Sequence, residues 1–317
     1  EKFGKFFPPN PSIGSFCSIG GMLGNNSSGS RSLKYGSVID NVSEITFIDG
    51  NGKKNIFPKN NTITKKILKI TKKINENKFP NVTKNSSGYR IDKVFSREDI
   101  HKIIIGSEGT LGIIISAKLK IKNKPKNRIL LVIGYESIKI ALKNCIEIKK
   151  LNPSAIEFVD KTTFRQIKYN FKNNLKCLLF VELDEDIEIN QKKIHKTIKG
   201  KIIQRIKKEQ DISKWWKYRD SALHYSLKSI KKQKRIPHII EDAAVPLEKL
   251  PKIFTILNKI NKKYKTKSIT YGHAGNGNIH IRLSSNKINP KKIMKISGEF
   301  FEEVIRMNGT ITAEHGD

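Results

Sequence analysis

No run of about eighteen apolar residues occurs anywhere in this chain of 317 residues, which removes the length of hydrophobic helix a bilayer span requires. Cysteine is scarce: Cys17, Cys145 and Cys177 are the three in the sequence, far apart and without CxxC spacing. Isolated thiols support neither a disulfide framework nor a zinc or iron–sulfur cluster within this segment, and they fit a reducing, cytoplasmic setting. Acidic residues are outnumbered, 29 Asp and Glu against 62 Lys and Arg, a formal net charge of +33. The Gly-x-Ser-x-Gly elbow, the P-loop and a Ser/His/Asp order are also missing, so hydrolase and NTP-driven chemistry have no foothold. Histidine is rare, with seven in all, and that gives weight to where it occurs.

An excess of positive charge raises the prospect of a nucleic-acid surface, because lysine-rich faces bind phosphate backbones by releasing counterions. Here the excess is mostly lysine, runs along the whole chain, and accompanies abundant Ile and Asn, residues that share AT-rich codons. Solvated faces in a compositionally drifted chain explain it with less, and no nucleic-acid partner is expected. Attraction to carboxylate substrates or to an anionic membrane is compatible with the same charge. The expected setting is cytoplasmic, with peripheral contact at the inner membrane left open.

The length allows two domains with proper cores. The chain starts at Glu1 and stops at Glu314-His315-Gly316-Asp317, inside what reads as a functional loop, so a piece of a longer protein is expected. Residues 1–36 are studded with small residues and resist being helix or strand, although Ile19, Met22, Leu23, Leu33 and Tyr35 interleave and let the stretch pack. Residues 42–48 alternate into a hairpin turn at Asp49-Gly50-Asn51-Gly52. A basic helix is expected over 61–77, a glycine turn at 85–89 and an apolar strand over 113–121, with a domain boundary at Asn123-Lys124-Pro125. Beyond it, strands are expected at 128–135, 154–159, 177–183, 238–245, 267–273 and 278–283. Helices are expected at 136–150, 187–199, 210–227, 247–263 and 291–307. The mixture predicts an α+β class, a sheet with helices on one side.

The densest chemistry lies in Tyr271-Gly272-His273-Ala274-Gly275-Asn276-Gly277-Asn278-Ile279-His280, answered by Glu314-His315. A glycine-rich turn between β-prone flanks would bring His273 and His280 to one end of a strand pair. Two imidazoles and a carboxylate are a usual ligand set for a divalent ion with an open position, with His315 beside it as a base. A tight loop capped by histidines is the alternative. Gly20-Gly21-x-x-Gly24 is not a dinucleotide fingerprint, since no strand leads in and no helix clearly follows. Gly106-Ser107-Glu108-Gly109-Thr110-Leu111-Gly112, between Ile-rich segments, reads equally as a cofactor loop or a tight bend buried on both sides. Trp215 and Trp216 read as core, and Arg219 on the same helix as a carboxylate clamp or a surface ion pair. Glu241 and Asp242 end a strand, with solvent exposure the default.

These segments together resemble the FAD-linked oxidase family that includes D-lactate, glycolate and D-2-hydroxyglutarate dehydrogenases, with a vanillyl-alcohol-oxidase-type flavin domain. The resemblance rests on Phe7-Pro8-Pro9-Asn10-Pro11, the stretch from Ile19 to Gly29, Lys34-Tyr35-Gly36, Asp40-Asn41-Val42, Gly106 to Ile113, Glu241 to Pro246, Gly272 to His280 and Gly309 to Asp317, in the family's order. The Asn-Ser-Ser-Gly-Tyr-Arg and Glu-Asp-Ala-Ala-Val-Pro stretches look most like the branch with an appended iron–sulfur region.

The resemblance implies an α+β architecture. Residues 1–126 would be the second half of a PCMH-type FAD-binding domain, and 127–317 a cap domain with an antiparallel sheet covered by helices. Gly20, Gly21, Gly24, Asn25, Asn26, Ser28, Gly29, Tyr35, Gly36, Gly106, Ser107, Glu108, Gly109, Thr110, Gly112 and Ile113 would line the flavin. His273, His280 and Glu314 match the family's ligands for zinc, manganese or iron, His315 its proton acceptor, and Arg219 its carboxylate-gripping arginine. The implied activity is oxidation of a D-2-hydroxy acid to the 2-oxo acid, with hydride passing to flavin N5. Electrons then go to a quinone, a cytochrome or an iron–sulfur region of the parent chain. Another flavoenzyme on the same scaffold, of the alkyl-ether-lipid synthase or aryl-alcohol oxidase type, is the alternative, with a basic nucleic-acid or membrane-surface protein behind it.

Overall fold

The computed structural model describes residues 3–59, 61–74, 78–167, 169–171, 174–230, 236, 239–286 and 289–317. The chain forms two compact units, Glu1–Lys124 together with Thr312–Asp317, and Pro125–Ile311.

In the first unit the glycine-rich opening does form helix. After a short strand β1 (Lys5–Phe6), helix α1 spans Ile19–Asn25 and α2 spans Ser32–Tyr35. The expectation of irregular backbone fails because the ends of α1 are closed. Ser18 Oγ accepts the Gly21 N–H at 3.0 Å, and Asn26 stops the helix at φ +57°. Met22 and Leu23 drop into the core, and that burial offsets the roughly 1 kcal/mol each helical glycine costs. Strands β2 (Val42–Ile48) and β3 (Lys54–Phe57) form the expected hairpin, and α3 covers Asn61–Thr71 of the expected 61–77. Residues 75–77 lie outside the described residues. Strand β4 (Ile113–Leu119) pairs with β2 in the order β3-β2-β4, and β5 (Lys122–Asn123) pairs with β1. The Gly106 loop is entered from a 3-10 helix, Arg97–Ile103, not from a strand, and Ile113 and Ile115 beyond it are exposed. The bend buried on both sides is therefore not what forms.

The second unit is built on one antiparallel seven-stranded sheet. Along the chain come β6 (Ile129–Tyr135), α4 (Ile138–Lys149), β7 (Ala155–Asp160), α5 (Lys161–Phe164) and β8 (Cys177–Leu183). Then come α6 (Ile187–Thr197), β9 (Lys201–Ile206), α7 (Glu209–Asp220), α8 (Ala222–Ser229) and β10 (Ala243–Ala244). Helix α9 (Leu250–Tyr264), β11 (Lys267–Gly272), β12 (Asn278–Ser284) and α10 (Pro290–Arg306) complete it. The strand order is β10-β12-β11-β7-β8-β6-β9.

Every residue of β6, β7 and β8 is buried, so helices cover both faces of the sheet and not one. On one face Val132, Val159, Leu178 and Phe180 pack against Phe164 of α5 and against Ile212, Trp215 and Trp216 of α7. On the other, the Tyr135 hydroxyl donates to Asn144 Oδ1 of α4 at 2.7 Å. Three further expectations change. The strand at 238–245 shrinks to β10, with residue 238 outside the described residues. The helix at 210–227 breaks at Ser221. Strand β9, with Lys201 and Arg205 on a sheet edge, was not foreseen, since charge is how edge strands avoid further pairing.

Candidate functional site

The ladder registers of the second unit decide where the two histidines go. Tyr271 lies opposite His280 across the β11/β12 hairpin, while Tyr271 and Gly272 lie opposite Val159 and Phe158 of β7. One step further brings His273 beside Glu157. The tight turn between the strands depends on Gly277, at φ +71°, where a Cβ would stand 2.0 Å from the Val245 carbonyl oxygen. The imidazoles of His273 and His280 end 5.4 Å apart at 81° to each other, and both residues are buried.

Each ring is held through Nδ1. His273 Nδ1 is 2.8 Å from Glu157 Oε1 and 3.3 Å from Arg219 Nη2. His280 Nδ1 donates to the Glu241 carbonyl at 3.2 Å, with Asp242 Oδ1 at 3.7 Å. Arg219 is buried and paired with Glu157, so it is neither a surface ion pair nor turned away from the core. Asp242 is buried as well, accepting the Asn278 side-chain amide at 3.1 Å, which overturns solvent exposure as its default. Arg282, two residues beyond His280, contacts Glu241, and burial pushes its guanidinium down to about 10.

In the first unit the two glycine segments are laced together. Gly106 N–H donates to Leu23 O at 2.9 Å and Glu108 N–H to Gly24 O at 3.0 Å. Glu314 and His315 belong to this unit too. Glu314 Oε2 accepts Ser28 Oγ and Lys84 Nζ, both at 2.7 Å, and Asn25 Nδ2 donates to the His315 carbonyl at 3.1 Å. His315 is partly exposed, its Nε2 4.0 Å from Glu314 Oε1.

The sixteen residues expected at a flavin sort by what surrounds them. A Cβ at Gly20, Gly24 or Gly109 would meet nothing within 4 Å. With exposed Gly21, Glu108 and Thr110 beside them, these positions offer open backbone that a flat ring can approach closely. The residues present fit such a group. By contrast, Gly29 lies against the Asn10 carbonyl and Gly112 against that of Ile48, where a Cβ would stand at 2.0 and 2.3 Å. Tyr35 is buried edge-on to Phe6, Asn26 Oδ1 accepts the Ile39 N–H, and Gly36 packs on Asp40. The Ser107 hydroxyl is buried, without a hydrogen-bond partner among the described residues. Ile113 is exposed at the start of β4.

Sequence reasoning missed Glu157 and Lys84. Glu157 carried a usable signal, a lone carboxylate in Ala155-Ile156-Glu157-Phe158-Val159, which is otherwise an all-buried strand. Lys84 carried none, being one lysine among many.

Known proteins share this chain's pattern. The profile of the FAD linked oxidases, C-terminal domain, matches residues 124–317, and that of the FAD binding domain matches residues 1–54. Glycolate oxidase subunit GlcD of Bacillus subtilis is 31% identical over 100% of this chain and 63% of its own length. D-lactate dehydrogenase of Archaeoglobus fulgidus is 25% identical over 99% of this chain and 64% of its own, and D-2-hydroxyglutarate dehydrogenase of Haemophilus influenzae 24% over 99% and 36%. The chain thus spans under two thirds of the length of these relatives. Among solved structures, an alkyldihydroxyacetonephosphate synthase superposes with a TM-score of 0.66 over 98% of this chain and 56% of its own, at 16% identity, a likeness of fold. With its profile match running over 124–317, the chain belongs to the FAD-linked oxidases.

Proposed function

We propose that the protein containing this chain is an FAD-dependent dehydrogenase that oxidises a D-2-hydroxy acid of the lactate, glycolate or 2-hydroxyglutarate type to the 2-oxo acid. The observation that carries the reading is the buried His273/His280 pair, each ring anchored at Nδ1. A neutral imidazole protonated at Nδ1 keeps its lone pair on Nε2, the atom a divalent ion takes. Glu314 completes the ligand set in this proposal, oriented by Ser28 and Lys84.

Bound, FAD supplies the two-electron oxidant and a zinc, manganese or iron ion supplies Lewis acidity at the substrate hydroxyl. The chain's own residues do the rest. His315 takes the hydroxyl proton, and its partial exposure gives that proton a way out. Arg219 supplies positive charge for the substrate carboxylate, held in place by Glu157. Gly20, Gly24 and Gly109 leave room for the flavin ring. A quinone, a cytochrome or an iron–sulfur region takes the electrons onward. Among the described residues no helix is long and apolar enough to cross a membrane.

The test uses the full-length protein. It should carry flavin absorbance that bleaches with a D-2-hydroxy acid and not with its L-enantiomer. His273→Ala and His280→Ala should each lose metal and turnover together. Absence of flavin sinks the whole reading. Full activity in both variants sinks the metal role, and oxidation of an aryl alcohol alone would favour another flavoenzyme on this scaffold.

A further inference from the structure

The His273 ring has two neighbours at one nitrogen, and they make opposite demands. Glu157 Oε1 stands 2.8 Å from Nδ1 and Arg219 Nη2 stands 3.3 Å from it. A guanidinium can only donate and an ionised carboxylate can only accept. Were Nδ1 bare, Arg219 could donate to it, but the carboxylate would face a lone pair at 2.8 Å with no proton between them, at a side chain with 0% exposure. With a proton on Nδ1 the shorter contact is a charge-assisted hydrogen bond. The longer one is then the close approach of two groups that share Glu157.

We propose that Glu157 is the positioning residue for His273, fixing the ring in the Nδ1–H tautomer with Nε2 presented for an ion, and tying that ring through Arg219 to helix α7. The proposal rests on the metal reading above and deepens it. His280 reaches the same tautomer by another route, donating to the Glu241 backbone carbonyl. At Nδ1 one ring thus meets a main-chain carbonyl and the other a side-chain carboxylate. Helix α7 is tied to the sheet at two points on one face. Trp216 Nε1 donates to Glu182 and Arg219 pairs with Glu157, three residues on. The tautomer of His273 is in this way linked to how α7 sits on the sheet.

The experiment compares the full-length wild type with Glu157→Gln and Glu157→Ala. Metal-free protein is read by nitrogen-15 NMR of its imidazoles, with His273→Gln identifying the signal. Binding of Co2+ alone is followed by visible absorption. Wild type should show His273 protonated at Nδ1. The Gln variant, whose amide oxygen still accepts that proton, should keep the tautomer and most of the Co2+ affinity. The Ala variant should lose the tautomer preference and about 10–100-fold in affinity. A wild-type proton on Nε2 overturns the proposal, as does an Ala variant with parental Co2+ affinity or a Gln variant as weak as Ala. Wild type that binds no Co2+ sinks the metal reading, while the tautomer measurement still decides the role of Glu157. If the Ala variant fails to fold, the wild-type tautomer and the Gln variant keep the test decisive.

Discussion

Trp216 Nε1 donates to Glu182 Oε2 at 2.7 Å inside a strand whose every residue is buried. The indole does two jobs there, filling the core and satisfying a carboxylate that water does not reach. Trp216→Phe keeps most of the apolar area and removes the donor. A loss of about 1–3 kcal/mol is expected from the desolvated carboxylate. Urea unfolding of the variant checks it, and an unchanged midpoint would mean the bond adds nothing.

Gly277→Ala addresses the turn that places the histidines. A Cβ would stand 2.0 Å from the Val245 carbonyl oxygen, on a backbone at φ +71°. Strain of this sort costs about 1–3 kcal/mol before any clash is counted. A clear drop in melting temperature is expected, together with weaker metal retention. A variant as stable as wild type would show that the loop can open without consequence.

Gly24→Ala should behave in the opposite sense. A Cβ there meets nothing within 4 Å, and alanine favours helix over glycine by about 1 kcal/mol. The variant should melt higher and yet retain flavin less well, because the added methyl occupies the surface the ring approaches. Gel filtration followed by flavin absorbance separates the two effects. Higher stability with undiminished flavin would remove Gly24 from the cofactor surface.

His101 gives the first unit a dependence on pH. Burial pushes its imidazole below the usual 6.5, with its Nε2 3.1 Å from the Val42 carbonyl. The folded state keeps the ring neutral where the unfolded chain already binds a proton. The unfolded state therefore holds more protons below pH 6.5, and stability falls as pH drops through that window. His101→Gln should flatten the slope of unfolding free energy between about pH 5 and 6.5. An equal slope in both proteins would assign the effect elsewhere.

Much of the second unit was legible in the sequence because its strands are long apolar runs with clear edges. Residues 177–183 are Cys-Leu-Leu-Phe-Val-Glu-Leu, and β8 covers the same residues. The His273/His280 hairpin was legible for a different reason, the concentration of glycine between two β-prone flanks. What failed depended on contacts far away in the chain. Helix α1 is stabilised by the burial of Met22 and Leu23, which no local propensity of a glycine-rich stretch reveals. Glu157 looked like a strand residue and proved to be the partner of both Arg219 and His273. The burial of Asp242 follows from its place beside Asn278 on the neighbouring strand, a pairing that depends on a sheet order the sequence does not spell out.

Thr312–Asp317 fold with the first unit, although Pro125–Ile311 separates them from it along the chain. During synthesis the ribosome must therefore translate Pro125–Ile311 before it can deliver Thr312–Asp317 to the first unit. Until then Lys84, whose side chain has 0% exposure once folded, has no Glu314 carboxylate to meet. The usual order, in which an earlier domain matures before a later one on the ribosome, does not hold for this contact: Lys84 waits for Glu314 until translation has passed through Pro125–Ile311.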